Sequence, residues 1–329
     1  MMARERDFGP DAVLAAGEAA EQRGDYLEAT AAYTRIAEDA DAGVAAEGFF
    51  RLGRVAWRQG KFDRALDAYG QARTRAEQAG RDDLAARVEN GIGAVHYARG
   101  EYAQARASYQ VAMERTRDPV LIGRFLLNLG VIANIEGDLE NALWHYLRAR
   151  ALFRDNGDRT SEALALHNLG MIHADREEWD SAADAYGQCL VLCEQQGNRQ
   201  MIANVLLNES EVLVARRDFT AAVRNCELAM SIYTDIGDEV GRGEAHRWRG
   251  YAQRVAGDLE AAERSLNEAV LAGQRLRARL LEAEACREMA ALRRGHADAA
   301  RWRERAVALF RDLGARRELD AMEREAGES

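Results

Sequence analysis

The chain is dominated by an internal repeat. A small residue recurs at a fixed slot along the sequence: Gly17, Gly53, Gly93, Gly130, Gly170, Ser210 and Gly250. The period is about 40 residues, in the range of helical repeat families, and each slot is followed twelve positions later by alanine. Such a regular period is typical of stacked supersecondary units, each of which buries its apolar face only against its neighbours. The repeat therefore predicts a solenoid and not a domain built around one central core.

Composition and periodicity favour helices in every unit. The 329 residues include only two prolines, Pro10 and Pro119, while helix-forming alanine, leucine, glutamate and arginine are abundant. No run alternates apolar and polar residues as a half-buried strand would. In each unit the recurring slots of the first helix fall at i, i+3, i+4 and i+7, which places them on one helix face. We therefore expect an all-α fold, with a degenerate eighth unit that contains Gly295, Ala300 and Glu304.

The slot residues follow a known family pattern. Unit two, for example, has Leu52, Gly53, Ala65 and Tyr69 at these slots. They resemble the tetratricopeptide repeat, W-x2-L-G-x2-Y followed by alanine, an aromatic residue and proline, in its long-repeat bacterial form. The family's terminal proline is absent from every unit. The units are also longer than the family's usual repeat of about 34 residues. The resemblance implies a right-handed superhelical solenoid of about eight helix-turn-helix repeats.

The repeat pattern also predicts how the chain is divided. Residues 1–9 form an N-terminal tail, residues 10–312 the repeat solenoid, and residues 313–329 a C-terminal capping helix with a tail. The last segment is polar on most sides, as suits a helix that covers the open end of a repeat stack.

A second stripe of residues runs along the first helix of each unit. It takes the positions six, three and two before the small slot and one, four and five after it, about 200° around the helix from the core face. We call it the groove stripe, because in the family that face lines a concave groove that binds extended peptides. The predicted peptide-binding residues on it are Arg51, Arg54, Arg87, Asn90, Arg124, Asn128, His167, Asn168, Asn204, Asn208, Trp248 and Tyr251.

Asparagine recurs on this stripe at one register. Asn128, Asn168 and Asn208 all lie two positions before the small slot. A side-chain amide both donates to and accepts from a peptide backbone, so such a row could hold an extended chain without reading its side chains. The alternative is that each amide bonds to the neighbouring repeat. We favour the peptide interpretation.

Arginines and aromatic residues share the stripe. Seven arginines lie on it: Arg51, Arg54, Arg58, Arg87, Arg124, Arg247 and Arg254. Because arginine binds carboxylates through two parallel hydrogen bonds, those of units two to four predict a groove for an acidic or C-terminal segment. The alternative is pairing with acidic groups of the chain, such as Glu47. Phe50, Trp57 and Tyr97 also lie on the stripe and could anchor apolar side chains, and His167 could titrate near pH 6–7 beside an anionic ligand.

No arrangement of residues predicts catalysis. Cys189 and Cys193 lie one helical turn apart, but no histidine stands at ligand spacing, so we expect buried thiols and no metal site. The Gly91-x-Gly93 step follows no strand and lacks the third glycine of a phosphate loop. We expect no enzyme activity and no cofactor.

Charge and hydropathy limit the partners. The formal net charge of −10 disfavours nucleic acid, which needs a dense basic face. No apolar run is long enough to span a membrane, so we expect a cytoplasmic protein. We therefore predict a protein-interaction module, an adaptor or the sensor arm of a regulatory system, that binds an extended, acidic or C-terminal peptide segment. The alternatives are an oligomeric scaffold that uses its convex or end surfaces, and a receptor for a free peptide signal; the sequence does not determine the oligomeric state.

Overall fold

In a computed structural model, which describes residues 9–327, the chain is helical and forms no strand within that range. The helices are α1 (Pro10–Gln22), α2 (Tyr26–Ala37), α3 (Ala42–Arg58), α4 (Phe62–Gln78), α5 (Asp82–Ala98), α6 (Tyr102–Glu114), α7 (Pro119–Ile135), α8 (Leu139–Asp155), α9 (Arg159–Asp175), α10 (Trp179–Gln196), α11 (Arg199–Ala215), α12 (Phe219–Ile236), α13 (Glu239–Ala256), α14 (Leu259–Leu276), α15 (Arg279–Leu292), α16 (Ala299–Leu313) and α17 (Arg316–Gly327). The predicted fold class, an all-α solenoid of eight helix pairs with a final helix, is confirmed. Of the predicted N-terminal tail, residues 1–8 lie outside the described residues, and the domain boundaries stay a prediction.

Each helix pair is joined by a tight turn that the sequence encodes. In repeat four, Gly137 adopts a left-handed φ of +79° and the side chain of Asp138 accepts a hydrogen bond from the backbone N–H of Asn141. Glycine adopts this conformation without a steric penalty, and the aspartate satisfies a free amide at the helix start. Repeats five and six place Glu177 and Arg217 in the same left-handed region, at φ values of 58° and 62°.

The helices cluster into two compact units that meet in sequence at the bond between residues 161 and 162. The first contains α1 to α8, and the second contains most of α9 and all of α10 to α17. Each has its own cores: Tyr69, Ala65 and Leu84 are buried together in the first unit, and Tyr186, Cys189 and Val205 in the second.

The small slot is where the two helices of a repeat meet. In repeats one to five it is glycine, and the tyrosine sixteen positions later packs directly on it; a Cβ atom on Gly53 would lie 2.6 Å from the ring of Tyr69. In repeat six the slot is Ser210, and the facing residue is the smaller Cys226, whose Sγ lies 3.5 Å from the serine Oγ. A larger residue in the slot is thus accompanied by a smaller residue facing it. This confirms the predicted reason for glycine, which is the close approach of the second helix.

The final helix covers the last repeat. Met322 of α17 is 3% exposed and belongs to the apolar cluster that includes Met289 of α15 and Phe310 of α16. No helix among the described residues is long and apolar enough to cross a membrane.

Candidate functional site

The groove stripe lies on the first helix of each repeat: α1, α3, α5 and α7 in the first unit, and α9, α11, α13 and α15 in the second. Most of its side chains are half-buried. The contacts among the stripe residues themselves define what the face can offer a ligand.

The arginines at the start of the stripe are neutralised by carboxylates. Arg51 lies 2.6 Å from Glu18 and 2.6 Å from Glu47, and its side chain is 13% exposed. Arg87, one repeat later, reaches the same Glu47 at 3.4 Å and stacks on the ring of Phe50, 4.5 Å from the ring centre. This network leaves no net positive charge on the side chains that form it.

Glu21 is the centre of a second buried network. Its carboxylate accepts hydrogen bonds from Arg54 at 2.5 Å and from the hydroxyl of Tyr33 at 3.0 Å, and lies 3.2 Å from Arg58. Burial raises the pKa of Glu21, but the hydrogen bond and charge of Arg54, with Tyr33 and Arg58, outweigh it and hold that pKa below its usual value. Burial and the bond to Glu21 raise the pKa of Tyr33 to about 12.

The asparagines of the first unit bond to each other. The Asn128 amide donates to the Asn90 carbonyl oxygen at 2.9 Å, across neighbouring repeats. Arg124, one helical turn before Asn128, is 55% exposed and reaches Asp158 only at 3.5 Å. Of the predicted arginines in this unit, Arg124 therefore has the weakest intramolecular partner.

The asparagines of the second unit also have partners. The Asn208 amide donates to Nε2 of His167 at 2.9 Å, and the carbonyl oxygen of Asn204 accepts from the Tyr233 hydroxyl at 2.7 Å. Burial lowers the pKa of His167, against the opposing hydrogen bond with Asn168. In the chain alone, the pKa of His167 is therefore below its usual value, and titration near pH 6–7 beside an anionic ligand stays a prediction.

Two aromatic residues of the second unit are covered by arginine. Trp248 and Tyr251 stand edge to face, with ring centres 5.7 Å apart. Arg247 lies over Trp248 at 4.6 Å and Arg254 over Tyr251 at 5.5 Å. These arginines are also ion-paired, since Arg247 reaches Glu244 at 2.9 Å and Glu284 at 3.2 Å, and Arg254 reaches Glu288 at 2.8 Å.

The alternative interpretations expected the asparagines to bond to neighbouring repeats and the arginines to pair with acidic groups of the chain, and such contacts are present in the structure. Peptide binding itself stays a prediction. The acidic partners Glu284 and Glu288 were missed from the sequence. Glu284 lies 37 positions after Arg247, and Glu288 lies 34 positions after Arg254. A search for opposite charges at the 40-residue period alone would not have found them, because that spacing leads from these arginines to Arg287 and Arg294.

The remaining sequence candidates take structural positions. Cys189 and Cys193 are buried with their sulfur atoms 3.8 Å apart, and burial raises the pKa of both thiols. Gly91 and Gly93 lie inside α5, where a Cβ atom would meet Tyr69 and Tyr109. Among the described residues, no three His, Cys, Asp or Glu side chains are grouped so as to hold a metal ion.

The repeat geometry agrees with the match of this sequence to a protein-family model. The family model for the tetratricopeptide repeat matches residues 44–118 and 121–195. Residues 44–118 and 121–195 are built from tetratricopeptide repeats. The matched residues include repeats two to five, in which the Gly–Tyr pairs recur, so the family resemblance drawn from the sequence is confirmed. Repeats of this family are protein-interaction modules.

The curated relatives match this chain over part of their own length. The chain is 26% identical to the regulatory protein AfsR of Streptomyces griseus over 270 residues, which is 72% of this chain and 27% of that protein. It spans between 27% and 39% of the length of the curated relatives it matches.

Two solved structures are similar to this tetratricopeptide fold. One is a Rap protein complexed with competence and sporulation factor, with a TM-score of 0.65 and 12% identity over 97% of both chains. The other is a signal-transduction ATPase with a tetratricopeptide-repeat sensor from Pyrococcus horikoshii, with a TM-score of 0.69 and 12% identity over 95% of this chain and 50% of that one. At such identities the likeness shows the fold alone.

Proposed function

We propose that this chain binds an extended peptide segment of a partner protein along the groove stripe, as an adaptor or as the sensor arm of a regulatory system. The observation that supports this proposal is a row of half-buried asparagines at one register of the repeat. In the second unit Asn168 and Asn208 stand one repeat apart at the same position of α9 and α11. An extended strand rises about 3.3 Å per residue, so successive amides of such a row would contact separate peptide groups.

The intramolecular hydrogen bonds leave the amides able to bind. Asn208 gives one N–H to His167. An amide has two N–H donors and a carbonyl oxygen with two lone pairs, so the other donor and the carbonyl stay available for a peptide backbone. Holding one amide group by a neighbouring side chain fixes its orientation, which reduces the entropy lost on binding.

The comparisons support a regulatory setting for this proposal. One similar structure is a Rap protein in complex with competence and sporulation factor, another has a tetratricopeptide-repeat sensor, and the relative AfsR is a regulatory protein. We infer that this chain likewise binds a protein segment in a regulatory setting, either to sense it or to recruit it.

The test is capture of partners from native lysate by the wild-type chain, by Asn168→Ala/Asn208→Ala and by the matched control Asn267→Ala. Asn267 lies on α14, a second helix, away from the stripe. We expect the double variant to lose the captured partner and the control to keep it. Loss of the His167 bond costs about 1 kcal/mol of stability, so helicity and cooperative unfolding stay nearly unchanged.

Equal capture by all three chains would exclude the groove stripe as the binding face. The scaffold alternative would then be favoured, since α12 and α14 expose Leu228 and Leu271 by 50% and 58%. A mass in solution that rises with concentration and is insensitive to the asparagine substitutions would support that alternative.

A further inference from the structure

The end of the second unit contains a cavity that the asparagine row does not include. It has a volume of about 300 Å³ and lies between α15, α16 and α17. Three arginines line it, Arg287 and Arg294 from α15 and the loop after it, and Arg303 from α16. Pockets for small ligands begin at about this volume.

The cavity continues the groove stripe. Ala290 stands one repeat period after Gly250 and so takes the small slot of repeat eight. Arg287 lies three positions before that slot, at a groove-stripe position of α15, whereas Arg294 follows the end of that helix. The cavity therefore adjoins the end of the stripe in the second unit and is bounded on one side by Met322 of α17.

The charge of this cavity differs from that of the arginine networks in the first unit. The described lining residues include no carboxylate. Arg294 is exposed and makes no ion pair with a described residue. On the same helix, Glu288 is ion-paired with Arg254, and Glu284 is ion-paired with Arg247 and also interacts electrostatically with Arg287. The charge that this cavity offers a ligand is therefore that of Arg294 and Arg303.

One guanidinium is held in place. Nη2 of Arg303 donates to the backbone carbonyl of Met322 at 2.6 Å. A guanidinium has five N–H donors in a planar fork, so this bond orients Arg303 and leaves donors for a ligand. The rest of the described lining is small and apolar, with Ala290, Ala291 and Met322 among it. A partly apolar wall reduces the screening of the arginine charges by water.

We propose that this cavity binds an oxyanion, a phosphate or a carboxylate group, and that it anchors the anionic end of the bound segment. The guanidinium groups of Arg294, in the loop after α15, and of Arg303, on α16, match the oxygens of either group by charge-assisted hydrogen bonds. The inference rests on the proposed function for the identity of the carrier, but binding of the anion itself does not depend on a partner.

The experiment is calorimetric titration of the full chain with inorganic phosphate and, separately, with acetate at constant ionic strength. We expect saturable binding that Arg294→Gln and Arg303→Gln each weaken by about tenfold or more, because each removes a charge-assisted hydrogen bond. The matched control is Arg301→Gln, an exposed arginine of the same helix α16 outside the cavity lining, which should bind as wild type. The anion that binds with the lower dissociation constant indicates whether the natural ligand group is a phosphate or a carboxylate.

Absence of saturable binding of both anions would overturn the inference. So would unchanged binding in Arg294→Gln, whose side chain is exposed and whose fold is therefore retained, or an equal loss in Arg301→Gln, which would indicate a general charge effect. The variant Asn168→Ala/Asn208→Ala should still bind phosphate. Failure of partner capture with retained phosphate binding would therefore reject the proposed function and leave the cavity assignment intact.

Discussion

The ring of Tyr146 lies so close to the backbone of Gly130 that a Cβ atom on that glycine would come within 2.5 Å of the ring carbon Cε1. Tyr146 is 2% exposed, so the ring has no open space into which it could move. The glycine thus recurs because any side chain would displace the tyrosine that joins the two helices of a repeat.

We expect Gly130→Ala to destabilise the chain by about 1–3 kcal/mol, because the methyl group forces the buried ring of Tyr146 or the helix backbone to shift. The measurement is the free energy of unfolding by urea at neutral pH.

The control for this substitution is Gly70→Ala on α4. Gly70 also lies inside a helix, but a Cβ atom there would meet no atom within 4 Å. Alanine is favoured over glycine in a helix by about 0.5–1 kcal/mol, so this variant should be more stable than wild type. Destabilisation of the same size in both variants would contradict the packing explanation.

The turn of repeat six offers a stabilising substitution. Arg217 has a left-handed φ of 62°, which costs a residue with a Cβ atom about 1–2 kcal/mol, while the equivalent Gly137 of repeat four has none of this penalty. Arg217→Gly should therefore raise the melting temperature, with a gain of up to about 1 kcal/mol after the entropy of the unfolded glycine is subtracted. Gly137→Ala should change it in the opposite direction. A lower melting temperature for Arg217→Gly would show that its side chain stabilises the turn.

Glu21 should make the first unit sensitive to acid. Its pKa is lower in the folded chain than its usual value, so the folded state binds its proton less readily than the unfolded state. The resulting stabilisation is complete above about pH 4.5 and is lost as the pH falls through the folded pKa. Glu21→Gln should lose about 2 kcal/mol at pH 7 relative to wild type, and this difference should shrink towards pH 3.

Thermal unfolding between pH 3 and pH 7 measures this effect. Glu38→Gln is the control, since Glu38 is exposed at the end of α2 and its substitution should change stability little at any pH. A constant difference between wild type and Glu21→Gln would mean that shape, and not charge, explains the role of Glu21.

The repeat period predicted the fold because it depends on packing between slots fixed along the chain. The small residues, the alanines and the turns each recur once per helix pair, so their spacing along the chain predicted where the helices lie. The contacts of Arg51 and Arg247 were not predictable in the same way, because they depend on which acidic side chain of a neighbouring repeat reaches them. The cavity of Arg294 and Arg303 was missed because it forms where the final helix closes the eighth repeat, which keeps the small slot at Ala290 but neither the alanine that follows it in the other repeats nor the tyrosine of repeats one to five.

The last prediction concerns the ring of His167. Because Asn208 donates to Nε2, that nitrogen accepts and the proton lies on Nδ1. Burial also lowers the pKa of His167, so the ring should titrate below its usual value of about 6.5 in an NMR titration. Asn208→Asp places a carboxylate opposite Nε2 and should raise that pKa, because the charged ring then gains an anionic acceptor. His246, on α13, serves as the internal control and should titrate alike in both chains. An unchanged His167 in the Asn208→Asp variant would show that the two side chains do not interact in solution.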